Sequence, residues 1–241
     1  MSGSDAELAA ETAEAAGRLL LDLRARGAPG AEADRAANDL ILSRLRAARP
    51  DDGLLSEESP DGPARLGRRR VWIVDPLDGT REWVEGRDDW AVHVALVEGG
   101  VPTAGAVALP ALGQLLRSDA PPPLPRPRHP PRILVSRTRP PAVAARLAEA
   151  VGAELVPMGS AGAKAMAVLL GAGDLYVHEG GQHEWDNCAP VAVALAAGLH
   201  AGRLDGTPIR YNAPVPFVPD LLVCTREAAP DLIAAAMRLR P

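Results

Sequence analysis

The ten residues from Val71 to Thr80 constrain this chain more than any other segment. The segment opens with Val-Trp-Ile-Val, three β-branched residues and one aromatic, a composition typical of a buried strand. Because proline lacks an N–H, we expect the strand ladder to stop at Pro76, with Asp75 and Asp78 emerging at the strand end. Two carboxylates this close repel each other unless a hard cation lies between them. The segment therefore predicts a divalent-metal site, although Asp-Gly is also ordinary turn chemistry.

Phosphatase chemistry with an aspartate nucleophile is excluded by the neighbouring residues. Phosphatases of the haloacid-dehalogenase type use an Asp-x-Asp-Gly-Thr pattern in which the first aspartate attacks. Here Pro76 stands two residues before Asp78, and Arg203 takes that place before the second Asp-Gly-Thr, at 205–207. Neither proline nor arginine can be the nucleophile, so neither segment can support catalysis by an attacking aspartate.

Length and charge narrow the class of protein. A chain of 241 residues can bury a sizeable core. With 26 basic and 31 acidic residues, its formal net charge of −5 does not suggest a nucleic-acid polymer or an anionic membrane as partner. Its apolar runs fall short of the roughly 20 residues that span a bilayer, and no basic segment followed by an apolar one opens the chain. We therefore expect a cytoplasmic protein in which Cys188 and Cys224 are buried thiols.

The spacing of apolar residues predicts an α/β protein in two parts. Residues 1–119 form an α+β part, and residues 133–241 alternate strand and helix, which favours an α/β layer. The proline-rich residues 120–132 are interpreted as a semi-rigid connector, with a polyproline recognition tract as the alternative. The predicted elements are helices over 5–26, 31–48, 142–151, 161–170 and 188–197, and strands over 54–56, 71–74, 91–98, 103–109, 133–136 and 175–178.

Further carboxylates are needed, because one pair cannot hold two hard cations. Glu57 follows a short apolar strand, and Asp186 lies just before the helix predicted at residue 188. Each has a plain alternative: Glu57 as a solvated loop charge, and Asp186 as a helix cap. Their joint occurrence with Asp75 and Asp78 favours one shared site.

These segments together resemble the inositol monophosphatase superfamily. The resemblance rests on Ser-Glu-Glu at 56–58, Trp-Ile-Val-Asp-Pro-Leu-Asp-Gly-Thr at 72–80 and Glu-Trp-Asp at 184–186. Arg-Glu-Trp at 81–83, Gly-Ser-Ala-Gly-Ala-Lys at 159–164 and the segment 204–212 are most similar to its CysQ-type 3′(2′),5′-bisphosphate nucleotidases. The resemblance implies the layered α-β-α-β-α sugar-phosphatase fold, with the active site between the two parts.

A set of metal ligands is implied by the resemblance. Glu57, Asp75 and the backbone carbonyl of Leu77 would hold one Mg²⁺. Asp75, Asp78 and Asp186 would hold a second, so Asp75 bridges the two. A third, weaker ion would lie near Glu57, and Li⁺ would inhibit. Two metals can generate a hydroxide near neutral pH, so water would be the nucleophile.

The catalytic residues are also implied by the resemblance. Thr80 would orient and deprotonate the attacking water, with Asp34 behind it and Glu57 on the first ion. Related enzymes carry a lysine and a Val-Thr pair before the acid at the position of Asp34. This chain departs from that pattern, because residues 27–33 read Gly-Ala-Pro-Gly-Ala-Glu-Ala.

Substrate contacts are expected at several turns. Gly79 and Thr80 lie where the backbone can approach a phosphate, and Asp186 faces the same site. The junction at Gly159 and Ser160 precedes a helix and suits an anion. Three further contacts have alternatives: Ser136 and Arg137 as a strand-end cap, and Lys164 as a solvent-facing charge. The histidines show no ligand spacing and are interpreted as structural, namely His93, His178, His183 and His200.

The function expected from this resemblance is removal of the 3′-phosphate of 3′-phosphoadenosine 5′-phosphate to give AMP, in support of sulfate assimilation. The partner is then a small phosphate ester, and a homodimer is usual among relatives. Inositol monophosphate or fructose 1,6-bisphosphate hydrolysis is the alternative within the class. A non-catalytic metal- or nucleotide-binding regulator is the alternative from another class.

Overall fold

The first half of the chain builds a five-stranded sheet covered by two long helices. The computed structural model describes residues 3–239. The sheet order is β1-β2-β3-β4-β5, with β1 parallel to β2 and every other pair antiparallel. Ser4 caps the first helix by accepting from the Glu7 N–H. The elements are α1 Asp5–Ala25, α2 Gly30–Ala48, β1 Gly53–Ser56, β2 Arg70–Asp78, α3 Thr80–Val84, β3 Ala91–Glu98, β4 Val101–Leu109 and β5 Gln114–Arg117.

The second half builds another five-stranded sheet. Its order is β7-β6-β8-β10-β9, with β6 parallel to β7 and β8, and β10 antiparallel to β8 and β9. The predicted elements are all present, while β7, β9, β10 and α7 were not predicted. The elements are β6 Arg132–Ser136, α4 Ala142–Val151, β7 Glu154–Met158, α5 Ala161–Leu169, β8 Leu175–His183, α6 Glu184–Ala196, β9 His200–Gly202, β10 Phe217–Cys224 and α7 Ala229–Leu239.

The two sheets sandwich a shared pair of helices. On its outer face the first sheet packs against α1 and α2, and its other face packs against α5 and α6. The second sheet packs against α5 and α6 on one side, and against α4 and α7 on the other. The predicted α-β-α-β-α layering is therefore confirmed. No helix within residues 3–239 is long and apolar enough to cross a bilayer.

The proline-rich segment joins the two sheets and is anchored at its end. The Asp174 carboxylate accepts hydrogen bonds from the backbone N–H groups of Arg128 and Arg132, each at 2.8 Å. The limits 1–119, 120–132 and 133–241 stay predictions as domain boundaries, and their outer ends lie outside the described residues. Cys188 and Cys224 are buried free thiols, as predicted.

Three boundary predictions were wrong, and one of them is the end of β8, which lies at His183 rather than at the predicted His178. β2 does not end at Pro76 but continues to Asp78, because an extra residue on β2 forms a bulge: Asp75 faces His93, and Asp78 faces Ala91. A bulge leaves a position without a ladder partner, and there the missing N–H of proline costs little. The last predicted helix begins at Glu184 rather than at residue 188, so its first turn contains the acidic segment.

Candidate active site

The residues predicted to hold one ion lie at one edge of the first sheet. β1 and β2 run parallel with Ser56 opposite Val74, so Glu57, the first residue after β1, lies beside Asp75 of β2. The Glu57 N–H donates to the Val74 carbonyl at 3.4 Å, which extends the ladder by one bond. Asp75 is buried, and its carboxylate accepts from the Leu77 N–H at 3.1 Å. The structure thus brings Glu57, Asp75 and Leu77 together.

Gly79 turns the chain sharply at the end of the bulge. Its φ of +92° lies in the left-handed region, which favours glycine. A Cβ at this position would lie 3.2 Å from the Cβ atoms of both Ser160 and Trp90. The turn starts α3 at once, so Asp78 and Thr80 are held on a short, tightly packed connection.

Thr80 and Asp34 meet behind this turn. The Thr80 Oγ1 atom lies 3.3 Å from Asp34 Oδ2 and 3.1 Å from the Leu77 carbonyl oxygen, and its single proton can be donated to one of them at a time. A Cβ on Gly30 would lie 2.7 Å from Val84 and 3.3 Å from Thr80. Glycine near the start of α2 therefore allows this helix to approach α3 and place Asp34 beside Thr80.

Asp78 reaches across to the second half of the chain. Its carboxylate accepts from the Ser160 hydroxyl at 2.5 Å, and from the N–H groups of Ala161 at 3.2 Å and Gly162 at 2.6 Å. The predicted anion-binding junction at the start of α5 is thus already bonded to a carboxylate of the protein. This contact links the two sheets directly at the site.

Lys164 does not point to solvent, so that alternative is wrong. It is 4% exposed, and its ammonium group donates to the carbonyl oxygens of Gly159 at 3.0 Å and Ser160 at 2.5 Å. Ser160 has a φ of +45°, a strained value for a residue with a side chain. Lys164 therefore braces the turn that presents the Ser160 hydroxyl to Asp78.

Asp186 joins the site from the first turn of α6. Its Oδ2 atom accepts from the His183 N–H at 2.6 Å, so Asp186 caps α6 and also lines the cleft. The capping alternative and the shared-site prediction both describe this side chain.

These residues surround one cleft of about 470 Å³ between the two sheets. Its lining carries the carboxylates Glu57, Asp78 and Asp186 together with basic residues from the second half of the chain. Arg137 donates to Glu82 at 2.9 Å and to Glu85 at 2.7 Å, so the two glutamates hold it at the rim. The predicted residues that line the cleft are Glu57, Asp78, Gly79, Thr80, Ser136, Arg137, Gly159, Ser160, Lys164 and Asp186.

Sequence reasoning missed several residues in the lining. Arg139 follows Arg137 by two positions after the end of β6, a signal that could have been used. Tyr176, His178 and Gln182 lie on β8 and gave no such signal, because only the packing of β8 against α5 turns them toward the cleft.

Burial and mutual repulsion shift the pKa values of the carboxyl groups. Burial, followed by the charges of Glu57 and Asp78, raises the pKa of Asp75 well above its usual range. Burial also raises the pKa of Asp34 to about 7, with Glu58 and Glu57 adding to it. The same cause, with Asp78 as the main charge, raises the pKa of Asp186 to about 7.

Asp78 is the exception among these carboxyl groups. Burial acts to raise its pKa, but His93 and the donors at the start of α5 outweigh burial and hold it at about 2. Asp78 therefore stays ionised while its neighbours resist ionisation. For Asp34 and Asp186, burial and neighbouring negative charges outweigh the nearby positive groups, Arg35 and His93 respectively.

The donor set fits a hard divalent cation. Across residues 3–239, no three acidic, histidine or cysteine side chains stand at the mutual spacing of a closed metal shell. The cleft nevertheless gathers carboxylates from β1, β2 and α6, and repulsion of this kind is relieved by a cation with oxygen ligands. Behind them, Asp34 Oδ1 is buried and makes no hydrogen bond to any residue in the described part of the chain. Glu57, Asp75, Asp78 and Asp186 are thus suited to Mg²⁺.

The metal-free protein is expected to lose stability as pH rises. The folded chain keeps protons on Asp34 and Asp186 that the unfolded chain releases near pH 4, so unfolding releases protons between about pH 4 and 7. Asp186→Asn removes one of these charges and should raise the unfolding free energy of chelator-treated protein at about pH 7.5 by about 1–3 kcal/mol. The gain should be smaller at about pH 5 and should vanish only below about pH 4, where Asp186 is protonated in both the folded and the unfolded chain. Urea unfolding at these pH values measures this difference.

An exposed carboxylate provides the control for this measurement. Arg117 holds the pKa of Asp119 below its usual range, so Asp119→Asn should lose a little stability at neutral pH. Equal effects of the Asp186 and Asp119 variants at neutral pH would contradict the expectation.

The chain belongs to the inositol monophosphatase family, whose model matches residues 9–120 and 132–239. Members of this family generally depend on Mg²⁺. Among curated proteins, a 3′-phosphoadenosine 5′-phosphate phosphatase of Mycobacterium bovis is 53% identical over 91% of this chain and 88% of its own length. The 3′(2′),5′-bisphosphate nucleotidase CysQ of Escherichia coli is 31% identical over 78% of this chain and 82% of its own.

A solved structure agrees with the fold. The inositol monophosphatase from Anabaena superposes with a TM-score of 0.82 at 23% identity, covering 98% of this chain and 96% of that one. This agreement concerns the fold, while the family model and the 53% identical curated relative confirm the family resemblance inferred from the motifs.

Proposed function

We propose that this chain removes the 3′-phosphate of 3′-phosphoadenosine 5′-phosphate, giving AMP and inorganic phosphate. The observation that carries the proposal is the 53% identity, over 91% of the chain, to a protein named for this activity. The cleft supports it chemically. Its lining includes carboxylates that could hold divalent metal, and Arg137 and Arg139 that could pair with a substrate carrying two phosphate groups.

We place one Mg²⁺ on Glu57, Asp75 and the Leu77 carbonyl, and a second on Asp75, Asp78 and Asp186. A third, weaker ion near Glu57 and inhibition by Li⁺ are further parts of the proposal. Bound Mg²⁺ would lower the pKa of a water molecule and neutralise charge on the phosphoryl group. The hydrogen bonds from Ser160, Ala161 and Gly162 keep Asp78 ionised and oriented for its share of this binding.

Thr80 and Asp34 would then direct the proton of the attacking water. When the Thr80 hydroxyl donates to Asp34 rather than to the Leu77 carbonyl, its oxygen is free to accept from water. In the metal-free protein burial raises the pKa of Asp34, and its carboxylate could accept this proton as a general base. Water thus bonds to phosphorus as the bond to the 3′-oxygen breaks, and no phosphoenzyme forms.

The rest of the substrate would contact the second half of the chain. Ser136 and Arg137 lie at the end of β6, and Gly159, Ser160 and Lys164 lie at the start of α5. Arg137 is paired with Glu82 and Glu85, so it would have to leave at least one of them to reach a phosphate. Its Nε atom is buried without a hydrogen-bond partner among residues 3–239 and offers a further donor.

Phosphate release from a panel of substrates tests the proposal. We expect kcat/KM for 3′-phosphoadenosine 5′-phosphate to exceed the values for inositol 1-phosphate and fructose 1,6-bisphosphate by at least about 100-fold, or about 2.7 kcal/mol. Adenosine 3′-phosphate is the matched control, since it lacks only the second phosphate. Chelation should abolish turnover, and Mg²⁺ should restore it.

Other outcomes would replace the proposal. A preference for inositol or fructose phosphates would assign the alternative substrates. Binding of the nucleotide without release of phosphate would indicate a regulator.

We also propose a cytoplasmic location, in keeping with the free thiols of Cys188 and Cys224. The homodimer implied by the resemblance stays a prediction.

A further inference from the structure

The buried side chain of His93 contacts residues of the site from both halves of the chain. It lies on β3 directly opposite Asp75 in the strand register, and it is fully buried. Its Nδ1 atom lies 3.0 Å from the carbonyl oxygen of Trp185, in the first turn of α6. Its Nε2 atom lies 3.3 Å from Asp78 Oδ2, at ion-pair distance. One imidazole ring therefore contacts Asp78, a predicted metal ligand on β2, and also Trp185 on α6. Trp185 directly precedes Asp186, another predicted ligand.

The absence of a side chain at Gly162, on α5, leaves the space that the His93 ring occupies. A Cβ on Gly162 would lie 1.9 Å from His93 Nε2, far inside any real contact. Gly162 also donates its N–H to Asp78 at 2.6 Å. Glycine at this position lets α5 come close enough to bond Asp78 while the imidazole stays beside the same carboxylate.

The hydrogen-bonding needs of an ordinary buried histidine do not account for the position of this ring. The contact with the Trp185 carbonyl alone would satisfy one ring nitrogen. The Nε2 atom lies 3.3 Å from Asp78 Oδ2, at ion-pair distance, and has no other partner within residues 3–239. The ring thus sits where it limits the position of Asp78 relative to α6.

We infer that His93 is a positioning residue that sets the separation between Asp78 and Asp186, so that both carboxylates face the same cation. This inference rests on the metal site of the proposed function. Partners that orient metal ligands in this way typically contribute 10–100-fold to metal affinity. A histidine with a purely structural role would affect the stability of the metal-free fold and leave metal affinity unchanged.

Two isosteric variants separate the two contacts. Glutamine places its amide nitrogen near the position of Nε2, and asparagine places its own near Nδ1. We expect His93→Gln to keep part of the contact with Asp78 and His93→Asn to lose it. The Kd for Mn²⁺ or Mg²⁺, measured by calorimetry on the full chain, should therefore rise about 10-fold or more in His93→Asn and less in His93→Gln.

His200 provides the matched control. It is a half-buried histidine on the edge strand β9 whose Nε2 atom also has no hydrogen-bond partner in the described part of the chain. His200→Asn and His200→Gln should leave the metal Kd unchanged. For His93→Asn, thermal unfolding without metal gives the structural cost separately, and KM should change less than the Mg²⁺ activation constant.

A double-mutant cycle tests the contact itself. Gly162→Ala should displace the imidazole and weaken metal binding by about 10-fold. In a His93→Ala background the added methyl group has space, so the second substitution should cost much less than it does alone. Additive effects, or an unchanged Kd in His93→Asn, would overturn the role of His93. Failure of the wild-type chain to bind divalent metal would overturn both this role and the proposed site.

Discussion

Asp75→Asn should lower kcat/KM for phosphate release by at least about 10³-fold, equivalent to about 4 kcal/mol of transition-state stabilisation. Asp75 lies between Glu57 on one side and the bulge at Pro76 and Leu77 on the other, where it can serve both proposed ions. Asparagine keeps the size of the side chain but removes the charge that two cations would share. The same change removes a buried, repelled carboxylate, so the metal-free variant should be at least as stable as the wild type. Steady-state kinetics measure the loss in kcat/KM, and urea unfolding of chelator-treated protein measures the stability of the metal-free variant.

Asp52 offers a matched control for this variant. It lies just before β1, at the other end of the same pair of strands, and its carboxylate accepts from Arg70 at 2.9 Å and from the Trp72 indole N–H at 2.8 Å. Asp52→Asn should destabilise the fold by about 1–3 kcal/mol and leave kcat/KM of the folded enzyme nearly unchanged. Activity retained in Asp75→Asn would remove the bridging role, whatever the stability data show.

Thr80→Val should lower kcat by about 10²–10⁴-fold with little change in KM, because the hydroxyl acts on the attacking water rather than on the bound substrate. Asp34→Asn should show a loss of similar size, since its carboxylate lies 3.3 Å from the Thr80 hydroxyl oxygen. If the two side chains act as one unit, the double variant should lose hardly more than either single variant. Single-turnover kinetics with saturating Mg²⁺ measure the chemical step.

Thr80→Ser is the control for this pair, because it keeps the hydroxyl and removes only a methyl group. It should retain most of the activity lost in Thr80→Val. A full rate in Thr80→Val, or losses that add in the double variant, would contradict the proposed proton path.

The sequence carried most of the predicted metal ligands, because they are short side chains at the ends of local elements. Glu57 follows β1 directly, and Asp75 and Asp78 follow the apolar core of β2. The parallel pairing of β1 with β2 then brings them to one edge without further information. The catalytic use of these residues stays a prediction that the variants above would test.

Other features depended on the meeting of distant segments. The pattern around Pro76 indicated the end of a strand. Pairing with the antiparallel strand β3 instead continues β2 to Asp78, because a bulge on β2 accommodates the proline. The interior position of Lys164 depends on the strained turn at Ser160, whose carbonyl it contacts. Similarly, His93 had no ligand spacing in the sequence, because its two contacts lie 15 residues before it along the chain, at Asp78, and 92 residues after it, at Trp185.

The amino-acid sequence by itself determined the family, the layered fold and the carboxylates that the site contains. The motifs at 56–58, 72–80 and 184–186 carry the resemblance to the family, and that resemblance implied the layered fold. Local apolar spacing predicted the separate helices and strands and the carboxylates at their ends, since these depend on neighbours within a few residues. Only the tertiary structure decided which groups hold those carboxylates: α5 bonds Asp78, α2 places Asp34 beside Thr80, and His93 lies between Asp78 and α6. The physical reason is that hydrogen bonds and close packing act over about 3–4 Å. Contacts of that range between the two halves exist only once both sheets have packed on α5 and α6.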